Sequence, residues 1–358
     1  MEKLLELDDI MLVPAELNPG HQESKNDYSL KDPIDGTVSL PIFTSPMEAV
    51  VNETNWKVWQ DNGIRPILPR TSDIGIRLEG CEYIFSAFSL SEIRKNFLEY
   101  RRTSQNAFRI CIDSGNGHDA EVLNVAQELK RLYGNQVNVM AGNIANPKVY
   151  IDYCKAGVDY VRVGMSSGSL VDRDKYGFYY PMASLILDIQ GLRKTACVGL
   201  KLTKIIADGG IGDKVDIIKA LALGADYVMI GRQFARMAEG AGKMYRKVKD
   251  GTLEHSEEVT HGEVLKMSET DLRSDSISRL YCGNTSYETQ ARRDGYDDIH
   301  DWTGKRRSCD AKVEFVRVTM RLPNWLEEVI DIFSSGFMMA GATGWADFKT
   351  KINICRRT

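Results

Sequence analysis

The sequence predicts an α/β chain folded as one (β/α)8 barrel, and three observations carry the prediction. Short runs rich in Val, Ile and Phe alternate with amphipathic stretches, the order of a parallel sheet wrapped in helices. Eight such runs can be counted, each almost continuously apolar, as strands covered on both faces must be. Small or polar residues follow many of the runs at once, and in a parallel barrel those positions share one rim, where binding and catalytic groups collect.

Taken in order, the first run, Pro41–Thr44, leads into Ser45-Pro46. The second and third, Ile64–Leu68 and Tyr83–Ala87, flank Arg70–Glu82, too short to hold an inserted domain. Phe108–Ile112 ends on Asp113-Ser114-Gly115, and the following Ala120–Tyr133 carries Val122, Leu123, Ala126, Leu129 and Leu132 at helical spacing. Val137–Ala141 ends on Gly142-Asn143 ahead of a helix at Pro147–Ala156. Tyr160–Val163 opens into Gly164-Met165-Ser166-Ser167-Gly168-Ser169. Lys204–Ala207 ends on Asp208-Gly209-Gly210; Lys214–Leu223, closed by Gly224, is the helix before Tyr227–Ile230, which ends on Gly231-Arg232. The pattern breaks at about Gly240. Residues 243–307 are charged and weakly periodic, and so long an excursion after strand eight reads as a functional flap. Trp325–Phe333 reads as a helix packing back on the barrel. Residues 1–358 are therefore expected to form a single domain, with the flap at 243–307 and a C-terminal helical segment at 323–358.

A net charge of −4 gives the whole molecule no electrostatic reason to seek nucleic acid or an anionic membrane, so any phosphate must be gripped locally. The acidic start lacks the basic region and apolar core of a signal peptide, and no stretch of about 18 apolar residues occurs, which points to the cytoplasm. Seven scattered cysteines form no C-x-x-C pair and read as reduced packing residues. Five histidines show no ligand spacing, and Lys305-Arg306-Arg307 reads as a solvated surface run.

The small residues of Gly164–Ser169 let main-chain N–H groups approach an anion, and Ser169 adds a hydroxyl. Asp208-Gly209-Gly210 and Gly231-Arg232 end the seventh and eighth strands, the usual phosphate corner of a barrel. An ionised Asp208 beside a phosphate has neutral hydroxyls as its natural partner, such as those of a ribose; capping the next helix is the alternative. Arg232 either adds a bidentate anion contact or swings into solvent. His118, just past Asp113–Gly117, is either a rim acid or base or a solvated loop residue.

The segments Leu7–Pro14, Thr44-Ser45-Pro46-Met47, Ala141-Gly142-Asn143, Arg162-Val163-Gly164-Met165, Ile206–Ile211 and Ala220–Ala225 resemble the IMP dehydrogenase/GMP reductase family over nearly the whole chain. The resemblance implies a (β/α)8 barrel, usually a homotetramer, that binds a purine nucleoside monophosphate (IMP, GMP or XMP) and NAD or NADP. It places Ser169, Gly210, Gly231 and Tyr281 at the phosphate, with Arg232 beside them, and Asp208 at the ribose. Gly283 and Asn284 lie along the base, and Ser45 and Met47 join the nucleotide set. Asp113, Ser114, Asn143 and Gly164 face the cofactor. The carbonyls of Ser166, Gly168 and Val171 fall where dehydrogenases bind a monovalent cation such as potassium. The regulatory small-domain pair of many dehydrogenases is missing, as in reductases, although the Arg162–Ser169 and Ile206–Ile211 motifs are nearer the dehydrogenase branch.

One departure concerns the chemistry. Val171 stands where the family carries its catalytic cysteine, and valine is no nucleophile; Asp172-Arg173 replace small hydroxyl-bearing residues. Cys282 in Tyr281–Ser286 is a candidate substitute thiol. Of the dehydrogenase's Arg-Tyr pair only Arg292-Arg293-Asp294-Gly295-Tyr296 is found, and Glu288 is one residue out of register with the reductase's glutamate. Two functions follow: a purine nucleotide oxidoreductase, or a redox-inactive nucleotide-binding barrel serving as sensor, partner subunit or catalyst of cysteine-independent chemistry on a modified purine.

Overall fold

The computed structural model describes residues 4–17, 37, 39–99, 106–171, 177–246, 256–296, 299–303 and 311–357. Asp172-Arg173 and the Lys305–Arg307 run lie outside them.

The chain opens with β1 (Ile10–Pro14), and eight parallel strands follow: β2 (Ile42–Thr44), β3 (Ile67–Leu68), β4 (Phe85–Phe88), β5 (Phe108–Ile112), β6 (Val137–Ile144), β7 (Tyr160–Val163), β8 (Lys204–Asp208) and β9 (Tyr227–Ile230). Their order is β2-β9-β8-β7-β6-β5-β4-β3, and a parallel bridge from Phe43 to Arg65, just before β3, turns the sheet back on β2. The result is the (β/α)8 barrel that the eight apolar runs predicted. The differences are local: the third strand begins at Phe85, because Tyr83 is exposed, and the fifth runs on to Ile144 through an irregularity at Gly142.

Aromatic rings fill the N-terminal mouth. Phe43, Phe85, Tyr160 and Tyr227 stand at or near the first residues of their strands, with ring centroids 5.2–5.9 Å apart, mostly edge to face. Space for a ligand is left at the C-terminal ends. Outside, Ala120–Tyr133 buries Val122, Val125, Ala126 and Leu129, and Met182–Thr195 buries Leu185, Ile186 and Ile189. Lys214–Leu223 ends on Gly224 at φ +115°, a left-handed cap that glycine takes without steric cost. The expected C-terminal helix spans Leu322–Ala340 and buries Trp325, Val329, Phe333 and Phe337. The segment 323–358 is not purely helical, however: β14 (Ile352–Arg356) pairs antiparallel with β1.

The described part of the excursion after β9 is more ordered than its charge suggests. β10 (Met244–Arg246), β11 (Glu257–Val259), β12 (Ile277–Cys282) and β13 (Val313–Arg317) form an antiparallel sheet in the order β11-β10-β12-β13. Apart from the buried β12, its strands are short and partly exposed, so their period escapes a reading by composition. Met244, Val259, Val264, Leu272, Ile277 and Val318 give it a small core of its own. The fully buried Arg279 fastens it to the barrel by donating to the carbonyls of Ala235 and Met237, both at 2.6 Å. No helix among the described residues is long and apolar enough to cross a membrane.

Candidate functional site

Strand ends and the second sheet together enclose a cleft of about 420 Å³, within the size range of small-molecule sites. Ser45 and Met47 come from the turn after β2, Asp113 and Ser114 from that after β5, Asn143 from the end of β6. The loop Gly164–Val171 follows β7, Asp208-Gly209-Gly210 closes β8, and Gly231-Arg232 follows β9. β12 and the turn beyond it add Tyr281, Gly283 and Asn284. All of these line the one cleft.

In one quadrant the side chains of Tyr281, Ser45 and Met47 converge on the bare face of Gly231. A Cβ placed there would stand 2.8 Å from the Tyr281 hydroxyl, 3.1 Å from Ser45 Oγ and 3.3 Å from Met47 Sδ. The next loops interlock through glycine: Gly209 has φ +95°, and a Cβ on it would lie 2.9 Å from the main chain of Ser167 and Gly168. Burial pushes the Tyr281 hydroxyl above its ordinary pKa, against the pull of Arg232, so it stays protonated. Arg232 lines the cleft, and its Nη1 sits 2.6 Å from Glu314 Oε2.

Asp208 is the hub of the floor. Its Oδ2 accepts from Asn143 Nδ2 at 2.6 Å and from Arg162 Nε at 2.9 Å, and Arg162 Nη2 also lies 2.9 Å away. Asn143 Nδ2 donates further to the Gly164 carbonyl at 3.0 Å. Burial alone would lower the pKa of Arg162; the Asp208 carboxylate, with Asp113, outweighs it and holds the guanidinium charged. This contact leaves Asp208 facing across the cleft, with no sign of the alternative helix-capping role, which Asp213 fills for Lys214–Leu223. Farther along, Asp113 is approached by Arg162 Nη1 and Arg70 Nη1, each at 3.8 Å, and by Arg293 Nη2 at 3.5 Å.

Arg70, Arg162 and Arg293 all line the cleft, and sequence reasoning assigned none of them a role. Arg162 was the detectable one: a charge within the run Tyr-Val-Arg-Val of a doubly covered strand must find a buried partner. Within Arg292–Tyr296, Arg293 reaches the cleft, whereas Arg292 donates to Glu48 at 2.6 Å and Tyr296 meets Thr303 at 3.1 Å.

Two candidates are not brought to the cleft. His118 Nε2 accepts the N–H groups of Ala145 and Asn146 at 3.3 and 3.2 Å, and Nδ1 lies 3.2 Å from Asn116 Oδ1, so the ring staples two loops as a neutral tautomer. Cys282 points to the opposite side of β12 from Tyr281, by strand alternation, and burial raises its thiol pKa in spite of Arg292. It is a poor thiolate there. Among the described lining residues there is no cysteine. Val171 does line the cleft, held in an antiparallel bridge with Ala311. Of the three carbonyls of the cation reading, that of Gly168 already accepts the Val171 N–H at 3.2 Å, leaving one lone pair for an ion.

Sequence comparison decides the family. A GMP reductase of Latilactobacillus sakei subsp. sakei is 32% identical over 292 residues, 79% of this chain and 87% of that protein. The chain belongs to the IMP dehydrogenase/GMP reductase family. A family model described as "IMP dehydrogenase / GMP reductase domain" matches residues 102–258. A GMP reductase of Bacillus subtilis is 29% identical over 71% of this chain and 77% of its own. An inosine-5'-monophosphate dehydrogenase of Rhodopirellula baltica is 38% identical over 136 residues, 38% of this chain and 24% of its own. The chain thus spans about a quarter of the length of that dehydrogenase. The IMP dehydrogenase/GMP reductase domain match takes in Asp113, Asn143, Arg162, the Gly164–Val171 loop, Asp208 and Gly231; Ser45, Met47, Arg70, Tyr281, Asn284 and Arg293 fall outside it.

Proposed function

We propose that the cleft binds a purine nucleoside monophosphate (IMP, GMP or XMP) and that the chain acts on it as a nicotinamide-dependent oxidoreductase. The observation that carries the reading is the convergence of Ser45 and Tyr281 on the bare Gly231, one loop away from Gly210 and Asp208. There the hydroxyls and main-chain N–H groups, with Ser169, would take a phosphate, with Arg232 at its edge. Asp208, its Oδ2 saturated by Arg162 and Asn143, would offer Oδ1 to the ribose hydroxyls. Met47, Gly283 and Asn284 would flank the base; Asn284 Nδ2 is held on the Pro46 carbonyl at 3.3 Å.

The donor set at the other end fits a nicotinamide riboside. Asp113 accepts hydroxyl donors, Asn143 meets a ligand with Oδ1 because Nδ2 is engaged, and Ser114 and Gly164 complete the edge. NAD or NADP, when bound, supplies or accepts hydride. Ser166, Gly168 and Val171 would present neutral oxygens to a monovalent cation. Homotetramer assembly, which the resemblance implies, and a cytoplasmic location belong to the same proposal.

The second reading, a redox-inactive nucleotide-binding barrel, is favoured by one observation: Val171 lines the cleft and no described lining residue is a cysteine. One experiment separates the two. Saturating IMP, GMP or XMP is expected to raise the melting temperature by mass action, and nicotinamide absorbance should change only for an oxidoreductase. Stabilisation without hydride transfer selects the second reading; no stabilisation by any of the three removes both.

A further inference from the structure

An acidic residue stands behind the phosphate quadrant. Glu314 lies directly opposite Tyr281 in the antiparallel register of β12 and β13, and residues so paired put their side chains on one face of the sheet. That face looks at the barrel: Arg279, on the same side of β12 as Tyr281 by alternation, donates from it to the Ala235 and Met237 carbonyls. Glu314 Oε2 holds Arg232 Nη1 at 2.6 Å, a close charge-assisted pair whose side chains are only 31% and 45% exposed. Among the described residues neither side chain makes another ion pair. Beyond the effect of burial, Arg232 pulls the Tyr281 hydroxyl pKa down while Asp208 and Glu314 push it up, so both members of the pair act on that hydroxyl.

Charge in this corner is therefore matched, Arg232 against Glu314 and Arg162 against Asp208. A phosphate here would be held chiefly by neutral donors, the Ser45 and Tyr281 hydroxyls and the main-chain N–H groups of the glycine loops. A further phosphate brings roughly one to two more negative charges, and the cation at this edge is already committed. Arg232, a planar fork of donors lining the cleft, is the group placed to serve it, and Glu314 holds that fork by one nitrogen.

We propose that Glu314 sets the phosphate selectivity of the cleft: by committing Arg232 it confines the corner to a single phosphate and disfavours a nucleoside diphosphate. Glu314 acts through Arg232 and is a positioning residue. The proposal rests on the purine nucleotide reading for the nucleoside, while base-free anions test the corner itself.

Calorimetric titration of the full chain is the experiment, with IMP, GMP and XMP, the matching diphosphates IDP, GDP and XDP, and inorganic phosphate and pyrophosphate. In wild type the monophosphate that binds should bind more tightly than its diphosphate. Glu314→Gln should shift the ratio of the two dissociation constants toward the diphosphate by about tenfold or more, the scale of one hydrogen bond to a charged group. Glu314→Asp, which keeps the charge, should retain most of the wild-type ratio. Arg232→Gln leaves the Glu314 carboxylate unanswered and should weaken the monophosphate by about tenfold; adding Glu314→Gln should recover much of that loss, a coupling that a merely structural role would not produce. Melting curves establish that each variant folds, and if Glu314→Gln does not, Glu314→Thr, suited to the edge strand β13, takes its place. If no nucleotide binds, yet pyrophosphate gains on phosphate in Glu314→Gln, the purine reading fails and the role of Glu314 stands. That role is refuted if wild type does not prefer the monophosphate, if Glu314→Gln shifts mono- and diphosphate alike, if Glu314→Asp behaves as Glu314→Gln, if the double variant binds no better than Arg232→Gln, or if none of the probes binds.

Discussion

Gly231→Ala separates binding from folding at the phosphate quadrant. Gly231 has φ −113° and ψ −70°, so an alanine meets no left-handed backbone penalty. The three atoms nearest its methyl are all side-chain ends: the Tyr281 hydroxyl at 2.8 Å, Ser45 Oγ at 3.1 Å and Met47 Sδ at 3.3 Å. Overpacking of this kind costs about 1–3 kcal/mol, a modest fall in melting temperature. Binding should suffer more, because the methyl fills the space a phosphate oxygen needs and displaces both hydroxyls. Two charge-assisted hydrogen bonds at about 1.5–3 kcal/mol each give a loss of at least about 3 kcal/mol, or on the order of 100-fold in Kd. The assay is calorimetric titration with the monophosphate that binds wild type, beside its nucleoside, which has no phosphate to lose. Weakening of both ligands alike, or of neither in a folded variant, would refute the placement of the phosphate.

Three further outcomes are expected. Arg162→Met strands the Asp208 carboxylate in a nearly buried site and should cost about 3–5 kcal/mol in denaturant unfolding, most of it recovered in the double variant with Asp208→Leu; a loss below about 1 kcal/mol contradicts the hub. Burial lowers the pKa of His118 and of His261, so protonation favours the unfolded chain. Stability should be full above the ordinary imidazole pKa of about 6.5 and fall as the pH drops through the lowered folded values; His118→Gln should show a shallower slope in a pH series of melts, and an unchanged slope argues against the neutral staple. Val171→Cys should gain an alkylation site that a purine monophosphate protects, read by intact mass; alkylation indifferent to nucleotide would place position 171 away from the ligand.

The barrel was legible because its strands are covered on both faces and read as almost unbroken apolar runs. The antiparallel sheet was not, since strands such as Glu257–Val259 are short, charged and half exposed, and their pairing with Met244–Arg246 is set by tertiary contact. The rim was legible wherever a residue lies at the end of a strand or directly after it, as Asn143 and Asp208 do in the first case and Ser45, Asp113 and Gly231 in the second. Arg70 and Arg293 escaped because their meeting at Asp113 joins positions 180 apart in the chain for Arg293, and no local pattern encodes it. His118 misled for the opposite reason. It follows a rim loop in sequence, yet the nearby N–H groups of Ala145 and Asn146 claim its ring.

A crystal structure of the chain with a bound purine nucleoside monophosphate tests the central claim most directly. The account predicts the phosphate among Gly210, Gly231, Ser45 and Tyr281, with the ribose hydroxyls on Asp208. A phosphate seated instead between Arg70 and Arg293, with Asp208 touching no hydroxyl, would contradict it.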